Sequence, residues 1–169
     1  MDLKSPKVLV VMGSDSDFEV MKACLKTLKK FAIAFDCRVC SAHRTPEQAA
    51  ELAKSAEKKG YGCIIAAAGK AAHLPGVLAA FTILPVIGVP IKSDALDGLD
   101  ALLAMAQMPP GIPVATVAVD GANNAAVLAA EILANSCPTV AEKMHLYKKE
   151  MEEKVLAKDA ALQQKIAEI

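Results

Sequence analysis

Two side chains that could move a proton and hold an anion stand next to each other in Ser41-Ala42-His43-Arg44-Thr45-Pro46. A histidine titrates near neutrality and can take up or return a proton. An arginine is a permanent cation whose planar fork matches a phosphate. The residues before this stretch alternate apolar and polar, and those after it have helical spacing. The pair therefore falls at the carboxyl end of a strand, the edge of an open α/β sheet where ligands bind. Thr45 is expected to cap the next helix, with Pro46 in its first position and Gln48 completing a capping box.

Two other stretches look made to converge on this corner. Gly13-Ser14-Asp15-Ser16-Asp17 closes an apolar strand and opens a helix. Its backbone N–H groups and the helix dipole favour an anion, and Ser14 and Ser16 add hydroxyl donors. It is neither a Walker loop nor a G-x-G-x-x-G turn. Asp17 would repel a phosphate and suits sugar hydroxyls better. The competing explanation is that the serines only cap the helix. The third stretch, Gly69-Lys70-Ala71-Ala72-His73-Leu74-Pro75-Gly76, follows a small apolar strand. From Ala66 to Ala72 it offers backbone donors and room but almost no side-chain chemistry. Taken singly, His43 could be a buried structural histidine and Arg44 half of a surface ion pair. His73 could equally shape its loop, and His145 lies in a charged tail. Jointly the three loops point to a phosphorylated sugar ligand, an acid–base histidine and a wall suited to a small carboxylate or neutral fragment.

The elements that must position these loops repeat a pattern. Apolar strands are predicted at Lys7–Met12, Phe31–Val39, Cys63–Ala68, Pro85–Val89 and Val114–Val119. Helices are predicted at Ser16–Lys30, Thr45–Lys59 (stopped by Gly60), Val77–Phe81, Asp94–Gln107 and Asn123–Ala134. Met108-Pro109-Pro110-Gly111-Ile112-Pro113 must turn. Five strands alternating with helices predict an α/β fold, a parallel five-stranded sheet with helices on both faces.

Composition narrows the class. The 169 residues suffice for one domain; 54% are hydrophobic, which excludes a mostly disordered chain. Basic and acidic residues number 19 each, and aromatic residues make up 4%, so no nucleic-acid partner is expected. No signal peptide is read in Met1–Lys7 and no membrane span elsewhere, which makes a cytoplasmic protein the expectation. Five cysteines without framework spacing argue against disulfides. Cys37 and Cys40 are three apart in an alternating run, so they point to opposite faces of a strand and make a poor metal pair.

The tail differs in kind. Residues 138–169 carry six lysines and six acids around an apolar stripe of Val140, Met144, Tyr147, Met151, Val155, Leu162, Ile166 and Ile169. A full helix here would span roughly 45 Å. That outruns a domain of this size, and predicts an arm (138–169) reaching from the catalytic body (1–137) to a neighbouring subunit. The plainer alternative is a helix that bends or frays on its own domain.

Val-Met-Gly-Ser-Asp-Ser-Asp (11–17), Ser-Ala-His-Arg-Thr-Pro (41–46) and Ala-Ala-His-Leu-Pro-Gly (71–76) together resemble the PurE family of purine biosynthesis. Val-Ile-Gly-Val-Pro (86–90), Gln-Met-Pro-Pro-Gly-Ile-Pro-Val (107–114) and the alanine-rich helix at 125–133 resemble it too, so the likeness covers almost the whole chain. The resemblance implies a three-layer α/β sandwich, an octamer whose C-terminal helix reaches a neighbour, and no metal or organic cofactor. It implies N5-carboxyaminoimidazole ribonucleotide mutase activity, moving a carboxylate from the exocyclic N5 to ring carbon C4. Ser14, Ser16, Ser41 and Arg44 would then surround the phosphate, and Asp17 the ribose hydroxyls. Ala68 and Gly69 to Leu74, including Lys70 and His73, would wall the carboxylate, and His43 would carry the proton transfers. A sister branch carboxylates aminoimidazole ribonucleotide directly with CO2; Arg44 and the 71–76 motif resemble the mutase branch instead. Lys70 departs from the Gly-Gly expected at 69–70, and a positive φ there would cost a lysine energy. The reading from a different class is a non-catalytic phosphate- or flavin-binding module, which would have no need of His43 beside Arg44.

Overall fold

The structure, a computed structural model, describes residues 7–169. Residues 1–6, read above for a leader segment, lie outside it. Five parallel strands, β1 (Lys7–Met12), β2 (Ala34–Val39), β3 (Tyr61–Gly69), β4 (Val86–Ile91) and β5 (Ala115–Thr116), form one sheet in the order β2-β1-β3-β4-β5. Helices α1 (Phe18–Lys30), α2 (Pro46–Ala56), α3 (Leu74–Ala79), α4 (Leu99–Ala106), α5 (Ala122–Ala134) and α6 (Pro138–Ala167) cover its two faces. The three-layer α/β architecture is the one the alternation predicts.

Side-chain alternation along the strands builds two cores. Val8, Val10, Met12, Cys63, Ile65 and Ala67 face Met21, Cys24 and Leu28 of α1 and the buried alanines of α5. Leu9, Val11, Ile64, Ala66 and Ala68 face Ala49, Ala53 and Ala56 of α2 and Leu74 and Leu78 of α3. Each fully buried Leu, Ile or Met contributes roughly 1.5–3 kcal/mol, so the paired cores, not helix propensity, hold the helices down. Cys37 joins the first core and Cys40 the second, as the strand period requires. Burial pushes the Cys24 and Cys63 thiols up to about 12, so both are inert packing groups.

Register sets the site. Met12 pairs with Val39 on one side and Ala67 on the other, so β1 and β2 end level, while β3 runs two residues further to Gly69, beside Ile91 at the end of β4. Gly13, Cys40 and the end of β3 therefore open their loops side by side. Strand β1 sends its connection through α1 to one face, and its neighbour β3 sends the chain through α3 to the other; this is the switch point where such sheets open a crevice.

Several boundaries differ from expectation. Phe31 and Ile33 alternate with Phe35 in sequence, but Phe31 ends α1, with its N–H donating to the Thr27 carbonyl, and Ala32 turns the chain at φ 55°. Strand β5 keeps only two residues. Helix α4 begins at Leu99, after a turn closed by Gly98 at φ 89°. Of the apolar residues spaced to seat that helix, Leu96, Leu99 and Leu103 are 59%, 51% and 48% exposed, while Met105 is buried as its spacing predicts and shares the buried face with Ala101.

Helix α6 divides in two. Val140 and Met144 are buried against α5, and Tyr147 meets Phe31 edge-to-face at 5.3 Å. Lys30 reaches Glu150 at 2.7 Å and Lys148 reaches Glu131 at 3.1 Å. From Met151 to Ile169 every residue is exposed. No helix among the described residues is long and apolar enough to cross a membrane.

Candidate active site

The three loops close around one cleft of about 760 Å³. Ser14, Ser16, Asp17, Ser41, His43, Arg44, Ala68, Gly69, Lys70 and Leu74 all line it. Every candidate residue singled out in the sequence except His73 is thus a wall of the same cavity, and His73 joins it through a side-chain contact.

The first loop is a closed unit. Ser14 caps a 3-10 turn at Asp15–Asp17, its Oγ accepting the Ser16 N–H at 3.3 Å, while Asp17 Oδ2 accepts the Ser14 N–H at 3.2 Å. The Ser16 hydroxyl donates to Ser14 Oγ at 2.9 Å and to Asp17 Oδ1 at 3.3 Å. Capping and ligand binding are therefore not alternatives here: the same residues hold the loop and face the cleft. Asp17 is 6% exposed, and burial pushes its carboxyl above the usual aspartate range against the pull of the Ser14 N–H and the Ser16 hydroxyl. The Gly13 N–H donates to the Ala67 carbonyl at 2.9 Å, which ties the start of the loop to β3.

The capping box expected in the second loop does not form. Thr45 makes no side-chain cap to α2, although Pro46 does take the first helical position. Thr45 Oγ1 instead accepts the Ser41 N–H at 3.0 Å and donates to the Ser41 carbonyl at 2.9 Å. The hydroxyl is used to close Ser41–Thr45 on itself, which leaves none for the helix and leaves Gln48 exposed. The Arg44 N–H donates to Ser41 Oγ at 3.2 Å, completing the corner. His43 and Arg44 are consequently presented outward, both exposed, from a loop with no slack. Among the described residues Arg44 has no carboxylate partner, which removes the surface ion-pair alternative.

His43 Nε2 lies 2.8 Å from His73 Nδ1, the rings crossing at 77°. One nitrogen of the pair donates and the other accepts, so the two imidazoles share a proton position. His73 N-caps α3 through its backbone and is not a loop spacer alone. His145 is exposed on α6, away from these loops.

Position 70 has φ 55°, the left-handed region in which a lysine is strained. Its side chain is exposed at the cleft. Sequence reasoning missed the fourth wall, Ile91, Lys92, Ser93 and Asp94. The signal was available: β4 ends at Ile91 on the same sheet edge, so whatever follows it must border the crevice. Lys92 is held there by its N–H on Asp120 Oδ1 at 3.0 Å and its Nζ on Asp97 at 3.1 Å.

A doubly wound sheet whose switch-point crevice gathers hydroxyls, a free arginine and a histidine pair defines a small-molecule α/β enzyme domain. The chain belongs to the AIR carboxylase family, the PurE family of the resemblance noted in its motifs, whose model matches residues 7–154. It is 60% identical to the N5-carboxyaminoimidazole ribonucleotide mutase of Pyrococcus abyssi over 146 residues, 86% of this chain and 84% of that one. It is 50% identical to the phosphoribosylaminoimidazole carboxylase of Candida albicans over 96% of this chain but only 29% of the longer relative. Treponema denticola PurE has the same fold, with a TM-score of 0.86 at 31% identity over 93% of this chain and 98% of that one.

Proposed function

We infer that the chain is an N5-carboxyaminoimidazole ribonucleotide mutase, an isomerase of purine biosynthesis that moves a carboxylate from the exocyclic N5 to ring carbon C4. The observation that carries the chemistry is the histidine pair in the cleft, His43 Nε2 to His73 Nδ1 at 2.8 Å. The mutase relative is matched nearly end to end, whereas the fungal carboxylase carries most of its length outside the match. That favours the mutase over direct carboxylation.

The reaction needs one proton in and one proton out. As the N5–carboxylate bond breaks, CO2 leaves and N5 takes a proton. The C4 carbon then bonds to the CO2 carbon, and the C4 proton must leave to restore the aromatic ring. His43 gives the first proton and takes the second. With Nε2 facing His73, His43 has Nδ1 as its other exchanging nitrogen, so a proton gained on one side can pass to His73 on the other. The chain needs no net proton from solvent, and a wall of Ala and Gly backbone at 66–72 keeps CO2 beside C4 until it is captured.

In the same reading Ser14, Ser16, Ser41 and Arg44 hold the phosphate, Asp17 the ribose hydroxyls, and Ala68, Gly69 and Leu74 the base and carboxylate. Arg44 can make paired hydrogen bonds to a phosphate, and among the described residues it pairs with no acid. The bare outer half of α6 supports an arm that packs on neighbouring subunits in an octamer, with residues up to 137 as the catalytic body. The protein works in the cytoplasm on a phosphorylated imidazole ribonucleotide, without an organic cofactor. Feeding the purified protein the N5 carbamate, and separately aminoimidazole ribonucleotide with bicarbonate, tests the function. Rapid turnover of the carbamate alone is expected; turnover only of the second pair would make the protein a carboxylase.

A further inference from the structure

We propose that Lys70 is a specificity-determining cation of the cleft, its ammonium taking the carboxylate of the bound nucleotide at the end away from Arg44. The proposal rests on the mutase reading above.

Three observations lead there. Lys70 holds φ 55°, a conformation glycine adopts freely and a lysine does not, in a loop otherwise built of Gly69, Ala71 and Ala72. A long charged side chain placed at a strained backbone position calls for an interaction made by that side chain. Second, the ammonium is unused: among the described residues it pairs with no acid, while Lys92, which lines the same cleft, is held by Asp97 at 3.1 Å. Lys70 and Arg44 are thus the two cleft cations without an anion.

Third, they serve different ends. Arg44 also lines a side pocket of about 300 Å³ with Ser14, Ser41, Thr45 and Gln48, to which Lys70 does not contribute. Lys70 instead stands in the loop that carries His73, three residues on, and lines the main cleft with His43. The substrate has two anionic ends, a phosphate and a carboxylate next to the reacting carbon. The hydroxyl-lined end with Arg44 suits the first, and Lys70, in the loop that carries His73, suits the second. A flexible ammonium can follow the carboxylate from N5 to C4, which a rigid fork could not.

The test compares two nucleotides that differ only in that group. Wild type, Lys70→Gln and Lys70→Gly are titrated calorimetrically with aminoimidazole ribonucleotide and with 4-carboxyaminoimidazole ribonucleotide at low and high salt. Both variants should bind the carboxylated nucleotide about three- to tenfold more weakly, the range for a solvent-facing charge contact, with a flatter salt dependence. Affinity for the uncarboxylated nucleotide should be unchanged. Lys70→Gly should also melt higher than wild type, because the strained φ is relieved, which separates backbone from charge. Equal losses for both nucleotides, or none for either, would overturn the role of Lys70 while leaving the mutase reading intact. Failure of the wild type to bind either nucleotide would overturn both.

Discussion

His43 Nε2 and His73 Nδ1 are 2.8 Å apart although 30 residues separate them in the chain. The contact joins the loop after β2 to the loop after β3, strands that are not neighbours in the sheet but flank β1. Because the facing nitrogens share one proton position, one ring must donate where the other accepts.

His43→Asn keeps shape and a hydrogen bond but cannot carry a proton. It should bind nucleotide normally and lose roughly 100-fold or more in turnover, the scale of a positioned acid–base group. His73→Asn should lose less, about tenfold, and displace the pH–rate profile, since it removes the partner and not the transferring group. Single-turnover rates across pH check both. A near-normal His43→Asn with a dead His73→Asn would reverse the two roles.

Arg44→Ala removes the guanidinium of the cleft and should weaken nucleotide binding by about 2–4 kcal/mol, the range for truncating one side of a desolvated charge contact. The loss should be the same with and without the carboxylate on the base, because both ligands carry the phosphate. Calorimetry reads it directly; unchanged affinity would move the phosphate elsewhere.

Asp17 sits buried with a carboxyl raised above its usual range. The folded state therefore binds that proton more tightly than the unfolded chain does. Its contribution is stabilising in acid and is lost as pH rises through the raised value. Asp17→Asn, which can still accept the Ser14 N–H, should raise Tm at pH 7 by roughly 1–3 °C, and the difference should shrink as pH falls through the usual aspartate range. Substrate affinity should fall at the same time if the carboxylate holds the ribose. Thermal melts at several pH values decide the first point, and a lower Tm at neutrality would contradict it.

Cutting the chain after Cys137 would strip Val140 and Met144 from the core, and should cost about 3 kcal/mol or more in stability. Cutting after Glu150 spares those residues and the Lys30–Glu150 ion pair. The shorter cut should leave the fold intact and lower the assembly size in sedimentation velocity. Retention of the full assembly would mean that the exposed half of α6 does not hold subunits together.

Much of the fold was legible in the amino-acid order because its signals are local. Strand and helix periods repeat along the chain, and a strand end followed by Gly13 or Gly69 declares a loop wherever it sits. Helix α5 and the core strands came out within a residue or two for this reason. The same locality misled at α4, where Leu96, Leu99 and Leu103 keep a helical spacing but face solvent. Spacing reports which residues share a face, not what covers that face. Thr45 shows the limit at a single residue: the residue types of a capping box were present, yet a nearer backbone partner in Ser41 took the hydroxyl.

The sequence by itself determined the three loops, their residue types and the family they belong to, since these are runs of a few consecutive residues. Only the tertiary structure decided that His43 meets His73, that Lys92 to Asp94 complete the cleft, that Lys70 is held at φ 55° and that α6 leaves its domain after Glu150. The first two depend on strand order and on where neighbouring strands end. Those are set by which strands pair across the sheet, a choice made by the packing of the whole chain and not written in any one stretch of it.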